Sequence, residues 1–158
     1  MKDYIKYIRE KVGHDEIMAV GVACLVINEN DELLLETRSD NGFLCFPGGA
    51  LDMGEKVEDG IRREVLEETG IKIDNLKLIG VYSGLDSRLR YPNGDVTYYT
   101  DIVFLSKVRS DVKIAPLDKE STLIKFYKIN EIDLNKLLLM DKKVIENYIK
   151  NKDEFIID

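Results

Sequence analysis

Glutamates 64, 67 and 68 lie three and four residues apart, directly after Arg63, in a stretch reading GALDMGEKVEDGIRREVLEETGI from Gly49 to Ile71. At 3.6 residues per turn, these carboxylates share one face of a helix. Val57, Ile61 and Val65 recur every four residues and form an adjoining apolar stripe. The spacing predicts a helix over 56–69, with the stripe buried and the glutamates at the rim of the core. Gly70 stands where a helix of this length is commonly ended. Like charges at these spacings repel by roughly a few tenths of a kcal/mol per pair, so something must neutralise them. A hard divalent cation, which takes oxygen ligands, suits such a cluster.

The same stretch resembles the signature box of the Nudix hydrolases, G-x5-E-x7-R-E-U-x-E-E-x-G-U, where U is a bulky aliphatic residue. The match runs through Gly49, Glu55, Arg63, Glu64, Val65, Glu67, Glu68, Gly70 and Ile71. The resemblance implies an α/β/α sandwich around a mixed sheet, and it covers most of the chain. It also implies hydrolysis of a diphosphate bond in a nucleoside diphosphate derivative, with Mg²⁺ or Mn²⁺ as cofactor and a small-molecule nucleotide as substrate. ADP-ribose or a nucleoside diphosphate sugar comes first. A (d)NTP pyrophosphohydrolase is the next reading, and a non-catalytic nucleotide-binding module of the same fold is the third. By resemblance the metal face is Glu64, Glu67 and Glu68, joined by a backbone carbonyl of Gly48 or Gly49. Glu64 and Glu68 are the expected direct ligands, while Glu67 ligates or orients water.

The general base has two candidates, Glu67 and Glu120, the latter in the loop-like run Asp118-Lys119-Glu120-Ser121. Arg63 belongs with the catalytic group, either as a phosphate contact or as a guanidinium that pairs Glu55 or Glu67 and fixes their orientation. Glu55 then braces the loop before the helix. Arg38, Arg88 and Arg90 are the substrate-binding candidates, the last two in a predicted loop over 84–94 beside Tyr91. Leu44 occupies the place where relatives often carry Trp, a departure that bears on any substrate borrowed from them.

The chemistry follows from charge. A pyrophosphate linkage repels an anionic nucleophile, and metal ions offset that repulsion while making a bound water more acidic. The net charge of −7 and a pI near 4.9 argue against binding to nucleic acid. No stretch approaches the roughly 18 apolar residues a membrane span needs. The start, MKDYIKYIREKVGHDE, lacks the apolar centre of a secretory signal, so cytoplasmic residence is the expectation. Cys24 sits in an apolar run and reads as core. Cys45 precedes Pro47-Gly48-Gly49, but the single histidine, His14, is remote in sequence and supports no thiol catalysis.

At 158 residues the chain is about one domain long. Ile5, Ile8 and Val12 predict an N-terminal helix over 2–12, within a segment 1–14; it either contacts a second copy in a homodimer or packs on its own domain. Residues 17–27 read as a strand buried on both sides, forming a hairpin with 32–38. A loop is predicted over 39–55. Strands follow at 76–83, 95–106 and 123–129, with Pro92-Asn93-Gly94 as the turn between the first two. The leucines at 134, 137 and 138 predict a helix over 131–139, before a second over 141–151. Gly60 departs from helix propensity by up to about 1 kcal/mol.

Overall fold

The twelve-residue strand β1, Ile17–Asn28, organises the molecule, and it is buried without a break from Gly21 onward. A run this apolar excludes a one-sided strand and requires cover on both faces. In the computed structural model, which describes residues 3–116, 121–152 and 154–158, that cover is present. Val22, Cys24 and Val26 pack with Leu34 against Ile61 and Val65 of one helix. Ala23, Leu25 and Ile27 face the other way and pack with Leu33, Leu35, Val144 and Ile145. Even and odd residues of one strand thus serve two cores, as the period of two demands. Each fully buried Leu, Ile or Val contributes roughly 1.5–3 kcal/mol of transfer free energy.

The elements that build these layers are α1 (Tyr4–Val12), β1, β2 (Glu32–Arg38), β3 (Leu44–Cys45), β4 (Gly48–Ala50) and α2 (Val57–Thr69). They continue as β5 (Lys77–Tyr82), β6 (Arg88–Arg90), β7 (Val96–Val108), β8 (Ser121–Lys128), α3 (Leu139–Lys150) and β9 (Ile156–Ile157). Among the described residues the strands form one mixed nine-stranded sheet with the spine β3-β2-β1-β7-β5-β9. β1 runs parallel to β7 from Ile17↔Thr97 to Asn28↔Val108. It runs antiparallel to β2 at Ile27↔Leu33 and to β4 at Val22↔Gly49. With α2 on one face and α3 on the other, the expected α/β/α sandwich forms. Among the described residues, no helix is long and apolar enough to cross a membrane.

Several boundaries differ from the sequence reading. Residues 131–139 do not form a helix: two 3₁₀ turns, Ile129–Glu131 and Leu134–Lys136, stand there instead. The Asp133 carboxylate caps the second turn by accepting from the Asn135 N–H, and Leu138 N–H then donates to Leu44 O at 3.2 Å. Leu137 is buried by a parallel bridge to Leu44, so its apolar character serves a strand contact and not a helical stripe. The predicted loop over 39–55 contains β3 and β4, and the loop over 84–94 contains β6. The Pro92-Asn93-Gly94 turn joins β6 to β7, because Gly94 N–H donates to Tyr91 O and Tyr91 N–H to Asp95 O. β5 meets β7 farther along, at Lys77↔Leu105 to Tyr82↔Asp101.

Two glycines of the α2 region have steric reasons for being there. A Cβ at Gly60 would lie 2.3 Å from Leu51 Cδ2, so the low helix propensity accommodates the loop packed over the helix. Gly70 is left-handed, with φ 75°, and its N–H donates to Leu66 O. A Cβ there would also fall 2.2 Å from Ala115 O, a backbone atom. Gly70→Ala should therefore cost about 1–3 kcal/mol, read as a lower urea midpoint. An unchanged midpoint would mean that this approach is not rigid.

Candidate active site

The site starts where β4 lies against β1. A Cβ at Gly48 would meet Val22 O at 2.2 Å, and one at Gly49 would lie 2.7 Å from the Glu64 carboxyl carbon. Two consecutive glycines thus let α2 bring its carboxylates up to a bare backbone strand. The Gly48 N–H donates to Glu68 Oε2 at 2.7 Å, a bond that ties the box helix to β4. Glu68 is only 8% exposed. Glu64 is nearly as enclosed, whereas the Glu67 side chain is 45% exposed.

Arg63 organises these acids. Its Nε and Nη2 donate to Glu55 at 2.7 and 2.9 Å, a two-pronged ion pair. Its Nη1 donates to Glu64 Oε1 at 2.7 Å and to Glu67 Oε2 at 3.3 Å. The pairing with Glu55 is the chief cause of that carboxyl lying below its ordinary pKa, and of the guanidinium lying above its own. Glu55 also accepts from the Asp52 N–H at 3.0 Å, and Asp52 Oδ1 in turn accepts from the Tyr4 N–H at 3.1 Å. The clamp therefore runs from α2 through the preceding loop to the start of α1. A guanidinium has the planar fork to hold three carboxylates at once, which an ammonium lacks.

A cleft of about 1470 Å³ extends from these glutamates past Gly48 and Gly49 to Tyr99, Asp101 and the first turn of α3. α1 closes one end. Arg9 donates to Asp15 O, Val96 O and Thr97 Oγ1, and pairs with Asp95. Arg38 lies in the cleft, held by Asp40 through bonds of 2.9 and 2.6 Å. Arg88 and Arg90 are exposed at the rim. Their pairing, Arg88↔Tyr98 and Arg90↔Val96, puts them on the sheet face opposite Tyr99 and Asp101. Glu120 lies outside the described residues. His14 pairs with Asp95 at 2.6 Å. Burial, aided by the charges of Asp141, Glu36 and Glu68, pushes the Cys45 thiol well above its usual pKa, which disfavours the thiolate.

The donors present are of the kind a hard cation takes: Glu64, Glu67 and Glu68 with the carbonyls of Gly48 and Gly49. The missing side chain at Gly49 keeps open the space against Glu64 that a Cβ would fill. Among the described residues, no three acidic, cysteine or histidine side chains yet converge on one point, since Arg63 and the Gly48 amide occupy the carboxylates. The residues fit the group in their chemistry.

Sequence reasoning did not single out two buried acids of this cleft, Asp101 and Asp141. Burial pushes the Asp101 carboxyl up to about 7, and burial with the neighbouring Asp101 charge pushes Asp141 well above its ordinary value. Asp101 carried a legible signal: Tyr99 and Val103 at i±2 place it on an inward face of β7. Asp141, in the first turn of α3, carried none.

A NUDIX domain family model matches residues 18–148. An ADP-ribose pyrophosphatase of Methanocaldococcus jannaschii is 34% identical over 157 residues, spanning 97% of this chain and 81% of that protein. Among solved structures, a MutT protein from Bacillus halodurans matches with a TM-score of 0.69 at 22% identity, over 88% of this chain and 86% of that one. The NUDIX domain of a Shewanella oneidensis protein in complex with ADP ribose gives a TM-score of 0.69 at 15% identity, over 95% and 99%. At such identities the structural likenesses speak for the fold.

Proposed function

From its place as a pyrophosphohydrolase of the Nudix family, to which this chain belongs, we propose that it cleaves the diphosphate bond of a nucleoside diphosphate derivative, ADP-ribose or a nucleoside diphosphate sugar foremost, using Mg²⁺ or Mn²⁺. The observation that carries this reading is the carboxylate face of α2 set against Gly48 and Gly49 at the floor of a large cleft. The relative acting on ADP-ribose supports the choice of substrate. The cation, when bound, offsets phosphate charge and makes its water more acidic.

The protein's own residues do the rest. Glu64 and Glu68 would hold the cation, together with a carbonyl of Gly48 or Gly49. Arg63 keeps Glu55, Glu64 and Glu67 in register on one side of the cleft. Glu67 is the freest of the three, held by Arg63 only at 3.3 Å, and it accepts the proton of the attacking water. Arg38 meets a phosphate by exchanging it for Asp40, and Arg88 and Arg90 draw the anion in from the rim. A panel of nucleoside diphosphate derivatives and nucleoside triphosphates, incubated with Mg²⁺ in oxygen-18 water, tests the proposal. The expected result is labelled nucleoside monophosphate or sugar phosphate. No turnover of any diphosphate derivative with saturating Mg²⁺ or Mn²⁺ would refute it.

A further inference from the structure

We propose that Asp101, seated on Gly21 beside Ser87 and Tyr99, is a specificity-determining residue that binds the uncharged, hydrogen-bonding half of the substrate, its sugar or base. The inference rests on the diphosphate reading above and adds a direction to it. β7 alternates, so Asp101 shares the face of Val103 and Leu105, which pack in the α3-side core. The α2 glutamates belong to the opposite layer. A molecule lying along the cleft therefore meets carboxylates suited to a metal–diphosphate at one end and a different chemistry at the other.

That other end gathers hydrogen-bonding groups around the Asp101 carboxyl, with the Arg38 guanidinium close enough to act on Tyr91 and Tyr99. The Tyr91 and Tyr99 hydroxyls bond each other at 2.9 Å. A Cβ at Gly21 would lie 2.2 Å from Asp101 Oδ1, so only glycine leaves room for the carboxyl where it stands. Ser87 is 5% exposed, and its hydroxyl finds no partner in full hydrogen-bonding geometry among the described residues, although it lies near enough to Asp101 to oppose the rise in its pKa. An unsatisfied buried hydroxyl costs free energy, and a ligand that supplies the missing bond recovers it. A carboxyl able to hold its proton near neutral pH both donates and accepts, as sugar hydroxyls and base edges do. Phosphate needs donors only, so Arg38 matches it and the Asp101 carboxyl does not.

Binding, measured by calorimetry with Mg²⁺, separates the subsite from the catalytic reading. The probes are α,β-methylene ADP-ribose, its deoxyribose and base-altered analogues, and methylenediphosphonate, which lacks both heads. Asp101→Ala should weaken the ADP-ribose analogue roughly 10–100-fold, as expected when one buried hydrogen-bonding group is lost. Asp101→Asn should stay within about threefold, because an amide also donates and accepts. Methylenediphosphonate should bind wild type and Asp101→Ala alike, and whichever altered head is insensitive to the substitution identifies the group bound. Ser87→Ala, which leaves β7 intact, should show the same selectivity on a smaller scale. Equal weakening of all probes, or none in either alanine variant, would overturn the assignment. A wild-type protein that binds these ligands but cleaves no diphosphate would sink the catalytic proposal and leave the subsite standing.

Discussion

Glu67→Gln and Glu68→Gln should each cut turnover of a diphosphate substrate by about 10²–10⁴-fold at saturating Mg²⁺, the range for losing an acid–base or charge-stabilising group. In barrier terms that is roughly 3–5 kcal/mol, far more than either change can cost the fold. Glutamine keeps the shape of the side chain, and its carbonyl oxygen still accepts from the Gly48 N–H that holds residue 68 in place. At residue 67 the replaced carboxylate is half-exposed and only loosely held by Arg63, so its structural share is small. Glu58→Gln is the control. It sits on the same helix with a side chain 63% exposed and, among the described residues, pairs with Arg62, so its turnover should match wild type. Melting curves without metal give a second readout. Arg63 already spans Glu55, Glu64 and Glu67, so removing one charge should raise apo stability by less than about 0.5 kcal/mol. If both substitutions left turnover near wild type, the metal-face assignment would be wrong.

What the sequence disclosed and what it hid divide along physical lines. β1 and α2 were legible because a long apolar run and a four-residue repeat each permit one geometry. The box glutamates and Arg63 were legible because their helix fixes their spacing, and the structure sets them beside Gly48, Gly49 and Glu55. β3, β4 and β9 are two or three residues long, too short to show any period; they exist because a neighbouring strand offers open backbone groups. The leucines at 134, 137 and 138 mimic a helical stripe, yet Asp133 caps a 3₁₀ turn and Leu137 reaches Leu44 across the sheet. Asp101 was passed over although Tyr99 and Val103 mark its face as inward, because only the tertiary structure brings Gly21 beneath it.

That buried acid carries a second large expectation, one of stability against pH. Burial raises the Asp101 pKa from 3.8 to about 7, so between those values the folded chain holds a proton that the unfolded chain has lost. The stabilisation from this group is complete below about pH 4 and disappears as pH rises through 7. Three units correspond to at most about 4 kcal/mol, and relaxation around the ionised carboxyl will reduce it. Asp141 works in the same sense, and since the Asp101 charge is among the causes of its raised value, neutralising Asp101 eases both. Glu55 has a lowered pKa, so its contribution is present at neutral pH and lost only as pH falls below its ordinary value, outside this window. Urea midpoints of wild type should therefore fall between pH 5.5 and 8.5. Those of Asp101→Asn should change much less, and the variant should be the more stable protein at pH 8.5, where wild type must keep a buried charge. Parallel curves for the two proteins would mean that water reaches Asp101 freely in the folded state. The hydrogen-bonding subsite would then lose the enclosure on which its discrimination depends.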